Sequence, residues 1–444
     1  MAKEFSRREF LKTTFVTSAG LALGAAAFSS KSYGRILGAN DRVNFAVIGL
    51  HGRGNAHLSS IAACKNTLVT HICDVDRREL EVFSPKVVEK FSQKPAWEKD
   101  VRKLLESKDI DAVTIATPEH WQTPMAIMAL QAGKHVYVEK PSSHNPAEGE
   151  MLVAAQKKYG QLVQLGNQQR SSAHTIEAMQ KIRDGAIGKP YFGKGWYSNE
   201  RKAIGVGKGV PVPDYLDWDL WQGPAPRRPY KDNVHPYNWH WFWHWGTGET
   251  LNNGTHEVDL CRWALGVDFP KRITASGGRY HFKDDWEFYD TLVTSYEYDD
   301  KLITWEGKSC QGSKYFGRGR GATIHGTDGT VLIDRDGYEI YNLSDEKVFA
   351  FAKPQKDASM DIVGDGPMTV AHFQNLLNAI TSGEQLHSPI EECNTSVAIL
   401  QLSNIAWKVG RVLNLDASGH ILNDPEATKL WNREYEPGWE PKLI

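Results

Sequence analysis

One short segment, residues 46–54 with the sequence AVIGLHGRG, constrains the fold of this 444-residue chain more than any other. Its apolar first half is typical of a buried strand, and its glycines allow a tight turn into a following helix. In a dinucleotide-binding turn, such glycines let the backbone approach a pyrophosphate at the helix N-terminus. The G-x-G-x-x-G pattern is imperfect, because His51 stands at the middle glycine position. A plain strand-turn-helix is therefore the alternative for this segment alone.

Short apolar runs and helical patterns alternate after this turn up to residue 166. Gly133 and Gly160 are typical helix C-caps between the runs. Short continuous strands separated by helices predict βαβ crossovers and a parallel sheet. The sequence therefore predicts an α/β nucleotide-binding domain of the Rossmann type over residues 41–166. The predicted strands are residues 43–48, 68–73, 112–116, 135–138 and 162–165.

Beyond about residue 188 the pattern changes to closely spaced strands joined by turn signals, followed by two helical patterns. This order predicts an antiparallel meander and therefore an α+β second domain, over residues 167–444, with a wide sheet. Residues 202–254 are rich in Pro, Gly and Trp and show little periodicity, which predicts a long functional loop region.

The first 38 residues are predicted to form an export signal and to lie outside the folded domains. Residues 6–12, SRREFLK, resemble a twin-arginine signal, an address read by a receptor. Residues 13–28 are too short and too weakly apolar for a stable membrane span. We therefore expect a protein exported to the periplasm by the twin-arginine machinery. An ordinary basic leader is the alternative.

Composition argues against several classes of partner. The chain carries 52 basic and 54 acidic residues, a net charge of −2, and no long run of one sign, so no nucleic-acid or anionic-membrane partner is predicted. Its five cysteines are irregularly spaced and include no C-x-x-C pair, which predicts neither a disulfide framework nor a zinc site. His240 and His244 have helical metal-site spacing but no obvious third ligand, so no metal is predicted.

Polar residues at the ends of the predicted strands extend the nucleotide site. Asp74 follows the second strand, where an acid would hydrogen-bond an adenosine ribose. An acid there favours NAD over NADP because it would repel a 2′-phosphate, although Arg77 and Arg78 keep NADP open. Residues 116–120 and 139–141 follow two further strands. The residues predicted to contact the cofactor are Gly49, His51, Gly52, Arg53, Gly54, Asp74, Thr117, Pro118, His120, Glu139, Lys140 and Asn167.

Four motifs together resemble the glucose-fructose oxidoreductase / inositol dehydrogenase (Gfo/Idh/MocA) family: EKP at 139–141, GKP at 188–190, DWDLWQGPAP at 217–226 and NGTHEVD at 253–259. The export signal suggests a secreted twin-arginine subgroup. The resemblance implies a Rossmann domain, a C-terminal domain whose large, mostly antiparallel open sheet mediates homo-oligomers, and hydride transfer at a sugar or cyclitol carbon.

By position, the resemblance also implies that Lys140 is the catalytic lysine and His256 the catalytic histidine. Similar enzymes carry a carboxylate four residues before that histidine, where this chain has Asn252.

The chemistry of these residues agrees with that assignment. Oxidising an alcohol requires a base for the hydroxyl proton, a role that His256 can fill, and Lys140 can stabilise the developing alkoxide. Asn252 is predicted to orient the imidazole without supplying charge. The pKa of His256 is then expected to be raised less than beside aspartate, unless a neighbouring acid compensates. A core histidine and a surface lysine are the structural alternatives. The candidate acids are Glu249, Glu257 and Asp259.

Aromatic and polar residues of the second half predict the substrate contacts. Residues 239–245, WHWFWHW, can stack on the C–H face of a pyranose ring, and a buried cluster bracing a loop is the alternative. Arg170 can reach a substrate hydroxyl or carboxylate, with an interdomain hydrogen-bonding loop as the alternative. The residues predicted to bind substrate are Arg170, Trp241, His244, His256 and Asp259.

Taken together, these features predict an exported, NAD-dependent oxidoreductase that acts on a ring hydroxyl of a sugar or glycoside. Because cofactor exchange outside the cytoplasm would be futile, we expect NAD to stay bound while a second sugar reoxidises it. An NAD-dependent glycosidase, working by transient oxidation and elimination, is the second hypothesis. The lysine of the EKP motif is often absent from such glycosidases, which favours the dehydrogenase. A non-catalytic sugar-binding protein is the third.

Overall fold

The computed structural model describes residues 42–351 and 366–443. The predicted export signal, residues 1–38, lies outside the described residues. Within those two ranges, none of the helices combines the length and the apolar character that a membrane crossing requires.

A parallel sheet of six strands occupies the first half of the described chain, which confirms the predicted α/β architecture. The strand order is β3-β2-β1-β4-β5-β6, the doubly wound order in which ligands bind at the carboxyl ends where the order reverses, between β1 and β4. Its elements are β1 (Val43–Ile48), α1 (Gly52–Ala63), β2 (Thr67–Cys73), α2 (Arg77–Phe91), β3 (Ala96–Glu98), α3 (Val101–Leu104), β4 (Ala112–Ile115), α4 (Glu119–Gln131), β5 (His135–Val138), α5 (Pro146–Tyr159) and β6 (Val163–Leu165).

Local sequence explains why these elements begin and end where they do. Every side chain of β4 is buried, as expected for a central strand covered on both faces. Helix α5 begins after Asn145, whose side chain accepts a hydrogen bond from the Glu148 amide at 3.1 Å. It ends at Gly160, which has a left-handed φ of 77°. Caps and strand burial thus act together to define this half.

A second, nine-stranded sheet follows in the described chain, and all neighbouring pairs but one are antiparallel, as predicted. The strand order is β14-β13-β12-β11-β7-β10-β9-β8-β15. The strands are β7 (Pro190–Ser198), β8 (Arg272–Gly278), β9 (Thr291–Glu297), β10 (Leu302–Lys308), β11 (Arg320–Gly326), β12 (Gly329–Ile333), β13 (Tyr338–Asn342), β14 (Lys347–Ala350) and β15 (Leu413–Asn414). The helices are α6 (Ala173–Arg183), α7 (Trp218–Gln222), α8 (Gly248–Leu265), α9 (Pro367–Ser382), α10 (Ile390–Val409) and α11 (Pro425–Thr428).

The predicted simple meander is wrong at the centre of this sheet. Strand β7 lies between β10 and β11 and pairs with β10 in parallel. The reason is that β7 precedes the long loop and α8 in the chain. Strands that come later, β10 and β11, then pair with its two edges. Helix α8 packs closely on β7. A Cβ at Gly193 of β7 would lie only 2.8 Å from the Cys261 Cβ of α8, so this contact requires glycine.

The C-terminal helices return to the first sheet. Phe373 of α9 stacks on Tyr137 of β5 with ring centroids 4.3 Å apart, and the Gln164 amide of β6 donates to the His372 carbonyl at 2.8 Å. Helix α10 packs on both α5 and α8. These contacts hold α8 and the strand ends of the first sheet in one arrangement.

Candidate active site

A cavity of about 520 Å³ lies at the carboxyl ends of the first sheet's central strands. Residues 49–53 of the glycine turn and Asp74 line it, and so do Lys140, Asn252 and His256. The structure thus brings together the predicted nucleotide turn and all three predicted catalytic residues. Of the other predicted cofactor contacts, Thr117, Pro118 and Glu139 also face this cavity.

The three glycines of the turn serve different physical purposes. Gly49 has a φ of 83°, and a Cβ there would lie 2.7 Å from the Ala116 carbonyl carbon. A Cβ at Gly54 would lie 2.1 Å from the Gly49 carbonyl oxygen, so that glycine allows α1 to pack against the turn. A Cβ at Gly52 would meet nothing within 4 Å, and Gly52 faces the cavity at the start of α1. This open space suits a phosphate group bound at the helix N-terminus.

Replacing Gly52 by valine should therefore weaken NAD binding without unfolding the protein. The new side chain would fill space that the structure leaves open beside the turn, so we expect at least a tenfold rise in the Kd for NAD, about 1.4 kcal/mol. Calorimetric titration measures that Kd, and thermal unfolding checks the fold. Gly209→Val is the control, because Gly209 also has open space around it but lies outside the cavity. An unchanged Kd in Gly52→Val would contradict this placement of the phosphates.

Asp74, which directly follows β2, is oriented by two hydrogen bonds from backbone amides. Its two carboxylate oxygens accept hydrogen bonds from the Leu50 amide at 2.8 Å and the Asp76 amide at 2.9 Å. Burial raises the pKa of Asp74 to about 6. Lone pairs remain on both oxygens for ribose hydroxyls, since a carboxylate has about four acceptor positions.

The two arginines that kept NADP open are engaged elsewhere. Arg78 pairs with Asp76 at 2.7 Å, and its guanidinium lies 3.4 Å above the centre of the Tyr215 ring. Arg77 lies 3.7 Å from Glu81 on the exposed face of α2. Neither arginine lines the cavity, whereas Asp74 does. The arrangement therefore favours NAD.

Glu139 anchors the glycine turn through hydrogen bonds to its side chain. Its Oε1 accepts hydrogen bonds from Arg53 Nε at 2.7 Å, from His57 Nε2 at 3.0 Å and from Gln168 Nε2 at 3.1 Å. Burial alone would raise the pKa of Glu139, but the charge of Arg53 and the hydrogen bond from His57 bring it well below its ordinary value. Glu139 is therefore an ionised anchor for Arg53, a residue of the turn itself. His51 of the same turn also lines the cavity, and its exposed ring lies 2.9 Å from Glu79.

Lys140 reaches across to the second half of the chain. Its Nζ donates to the Asn252 carbonyl oxygen at 2.5 Å and to Asn252 Oδ1 at 3.0 Å. An ammonium group has three N–H bonds, so one remains for a ligand in the cavity. Burial lowers the pKa of Lys140 to about 8, although the negative charges of Glu139 and Glu119 oppose the shift.

Asn252 positions the lysine and not the imidazole, which corrects the predicted role. No hydrogen bond joins Asn252 to His256 in the described structure. His256 is 5% exposed, and its Nδ1 is buried without a partner among the described residues. Burial, and after it the charges of Arg335 and Arg320, lower the pKa of His256 well below its ordinary value. His256 is therefore a neutral imidazole, able to accept a proton.

None of the three neighbouring acids compensates for the missing aspartate, because each pairs with an arginine. The bidentate contact of Glu249 with Arg201 includes one bond of 3.1 Å. Glu257 lies 2.7 Å from Arg320. Asp259 lies 2.7 Å from Arg170.

The Arg170–Asp259 pair also corrects two predicted substrate contacts. Both side chains are almost fully buried and lie outside the cavity lining. Arg170 also donates to Glu392 at 2.7 Å, and Asp259 also accepts from Ser396 at 2.6 Å. With these partners, Arg170 is a buried hydrogen-bonding residue, but both partners belong to residues 167–444, so these contacts do not form the interdomain link of the alternative interpretation.

Two predicted residues of the aromatic segment also lie outside the lining. Trp241 is buried and stacks on Trp286 with centroids 4.1 Å apart. His244 donates from Nε2 to the Pro226 carbonyl at 2.7 Å. They match the alternative of a cluster that braces the loop. Trp239 and His240 of the same segment do line the cavity.

Two predicted cofactor contacts are displaced by one residue. His120 is fully buried and donates to the Trp221 carbonyl at 2.9 Å, while Glu119 faces the cavity. Asn167 is buried outside the lining, while the next residue, Gln168, faces it. Successive residues of a helix point about 100° apart, so a motif alone does not say which neighbour faces a ligand.

Glu119 is the cavity residue that sequence reasoning missed most clearly. The Thr247 hydroxyl donates to its Oε2 at 2.5 Å. Burial raises the pKa of Glu119 to about 7, against the hydrogen bond from Thr247 and the charge of Lys140. Its only signal in the sequence is an acid at the start of a helix, which is common for structural reasons. Arg335 also lines the cavity without having been predicted.

The chain is similar to known proteins over both of its halves. The chain matches the family described as "Oxidoreductase family, NAD-binding Rossmann fold" over residues 43–167, and the corresponding "C-terminal alpha/beta domain" over residues 197–441.

Among curated relatives, a glycosyl hydrolase family 109 protein from Saccharopolyspora erythraea is 30% identical over 217 residues, 45% of this chain and 47% of that protein. The chain therefore matches about half the length of such relatives.

Solved structures are similar in fold. The WlbA dehydrogenase from Bordetella pertussis, in complex with NADH and UDP-GlcNAcA, has a TM-score of 0.63 at 19% identity and covers 84% of this chain and 99% of its own. An aldose-aldose oxidoreductase from Caulobacter crescentus, complexed with glycerol, has a TM-score of 0.63 at 18% identity, with coverages of 84% and 100%.

Proposed function

Because the chain belongs to the Gfo/Idh/MocA family and is therefore an NAD-dependent oxidoreductase, we propose that it oxidises a ring hydroxyl of a sugar or glycoside. The observation that carries the proposal is the single cavity that joins the glycine turn to Lys140, Asn252 and His256. A nucleotide held at the turn would share this cavity with those polar groups. The sugar-active enzymes among the proteins of similar fold are consistent with this substrate class.

Each of the cavity residues has a separate role in the proposed reaction. Bound NAD supplies the hydride acceptor, and the glycine turn and Asp74 would hold it. The remaining N–H of Lys140 donates to the substrate oxygen and stabilises the negative charge that develops there. Neutral His256 accepts the hydroxyl proton. Since its low pKa makes it a weak base, the charge of Lys140 carries more of the stabilisation than it would beside an imidazole–carboxylate pair.

Activity should fall as pH rises through about 8, because Lys140 then loses the proton it donates. The negative charge of Glu119 raises the pKa of Lys140, so Glu119→Gln should move this alkaline limb to lower pH. A pH profile of kcat measures both effects. Glu150→Gln is the control, because Glu150 lies outside the cavity beside His420. A limb that does not move in Glu119→Gln would contradict the coupling.

The substrate class is tested with purified protein, NAD and a panel of free sugars and methyl glycosides, with keto-sugar products identified by mass spectrometry. We expect at least one pyranoside to be oxidised. If no member of the panel is oxidised, the proposed function is overturned.

We further propose export with a retained cofactor, supported by the twin-arginine-like residues 6–12. NAD reduced by one sugar would then be reoxidised by a second, carbonyl-bearing sugar. Mass spectrometry of denatured native protein should release near-stoichiometric nicotinamide cofactor. Protein purified empty would contradict this part of the proposal.

A second candidate function is glycoside cleavage by transient oxidation, which the similarity to glycosyl hydrolase family 109 proteins favours. Oxidation next to a ring C–H would make that hydrogen acidic, so that the aglycone could leave by elimination and water could add, and the bound cofactor would supply the hydride that restores the alcohol. Aglycone release without net NADH, with solvent deuterium incorporated at the acidified carbon, would identify this activity. A keto-glycoside product with its aglycone retained would identify the dehydrogenase.

A further inference from the structure

A second histidine lines the same cavity as Lys140 and His256. His240 belongs to a short 3₁₀ helix, Asn238–Trp241, in the aromatic segment. Neither the glycine turn nor the proposed hydride and proton steps uses this side chain. Burial lowers the pKa of His240, and the charge of Lys140 lowers it further.

Hydrogen bonding fixes which nitrogen of His240 carries the hydrogen. Nδ1 lies 2.7 Å from the Tyr237 carbonyl oxygen. A carbonyl can only accept, so Nδ1 must be the donor and Nε2 of the neutral ring is an acceptor. No described residue hydrogen-bonds Nε2. The ring therefore offers the cavity one unprotonated nitrogen.

The ring is also held rigidly. It stacks on Trp239 with centroids 3.6 Å apart and planes 19° apart, and Trp239 in turn donates to the Pro236 carbonyl at 3.1 Å. A Cβ at Gly246 would lie 2.6 Å from the His240 Cα, so the following chain packs directly on the histidine backbone. Burial lowers the pKa of His240 to about 3, which keeps the ring neutral. The lone pair on Nε2 of the neutral ring is therefore available to accept a hydrogen bond.

We infer that His240 Nε2 accepts a hydrogen bond from a second hydroxyl of the sugar ring and so selects the substrate. The inference rests on the proposed function, in which Lys140 and His256 engage the reacting hydroxyl. A rigid acceptor that faces the cavity must find a donor when substrate excludes water, or its desolvation goes uncompensated. A sugar lacking that hydroxyl is therefore discriminated against, even though its reacting carbon is unchanged.

The test is a double-mutant cycle between protein and sugar. The panel glycoside with the highest affinity, such as methyl β-D-glucopyranoside, is compared with its monodeoxy analogues in wild type and His240→Phe. At one non-reacting position, we expect wild type to lose roughly 10- to 100-fold in kcat/KM on the deoxy sugar. His240→Phe should lose as much on the parent sugar and show no further loss on that analogue. His240→Gln, which retains an acceptor oxygen, should restore part of the preference.

His244→Phe is the matched control, since its imidazole bonds the Pro226 carbonyl outside the cavity. It should change all the sugars equally. Equal losses for parent and every analogue in His240→Phe, or no loss at all, would overturn the inference.

The same cycle measured as sugar affinity for the NAD-loaded protein needs no turnover. It decides the role of His240 even if the protein only binds sugars. Failure of every panel sugar to be oxidised would instead count against the proposed function, so the two failures are distinguishable.

Discussion

Replacing Lys140 by methionine should lower kcat by about 10²- to 10³-fold, as expected for removing a preorganised donor to a developing oxyanion. Methionine keeps much of the buried aliphatic volume but has no N–H to offer the substrate oxygen. The Asn252 carbonyl and amide oxygens also lose their donor. Steady-state kinetics with the best panel sugar measures the loss, and NAD titration should show that cofactor binding persists. A variant with wild-type kcat would contradict the catalytic role.

Lys134→Met provides the control for losing a buried lysine. Lys134 Nζ donates to the Ser107 carbonyl at 2.8 Å and the Ile110 carbonyl at 2.9 Å, away from the cavity. Its removal should lower the melting temperature and leave the kcat of the folded enzyme unchanged. The contrast separates chemistry from the general consequence of unpaired carbonyl groups.

Replacing Arg170 by methionine should reduce the free energy of unfolding by about 3–5 kcal/mol, the usual effect of breaking a buried ion pair from one side. Asp259 would stay buried without its main counter-charge, since its two carboxylate oxygens accept from Arg170 at 2.7 and 3.0 Å. Denaturant titration measures the loss. Because Arg170 lies outside the cavity, KM for the sugar in the folded variant should stay near its wild-type value.

Lys189→Met removes an ion pair of the opposite kind. Lys189 and Asp300 are both well exposed, 2.8 Å apart, and such pairs contribute at most about 1 kcal/mol. A large rise in KM for Arg170→Met, with stability no more affected than in Lys189→Met, would return Arg170 to the substrate site.

The first sheet could be predicted almost strand by strand. Its central strands are buried on both faces, so they appear in the sequence as continuous apolar runs, and residues 43–48 match β1 at both ends. For the second sheet, the mostly antiparallel character could be predicted, but the strand order could not. The parallel pairing of β7 with β10 joins segments separated by the long loop and α8, and no local pattern reports such a partner.

The catalytic centre was predictable as residues but not as contacts. Motifs identified Lys140, Asn252 and His256, and the fold brings them to one cavity. That Asn252 bonds the lysine and not the imidazole depends on how α8 lies against the end of β5, which is a tertiary property. The same limit explains why Glu119 faces the cavity in place of its neighbour His120.

In the aromatic segment, the pattern hides which side chains face the ligand. Every residue from 239 to 245 is Trp, Phe or His, so neither helical nor strand periodicity separates one face from the other. The structure resolves the segment into a 3₁₀ turn, in which Trp239 and His240 face the cavity and Trp241 packs inward.

Isotope transfer tests the central claim most directly. The panel sugar that is oxidised is prepared with deuterium on the carbon of the reacting hydroxyl and incubated with the NAD-loaded protein, and the released nicotinamide is analysed by mass spectrometry. If the sugar alcohol lies against the cofactor beside Lys140 and His256, the deuterium will be found on the nicotinamide ring, and Lys140→Met will slow the transfer by about 10²- to 10³-fold. Deuterium that stays on the sugar or passes to water, while the wild-type protein turns over, would contradict the account.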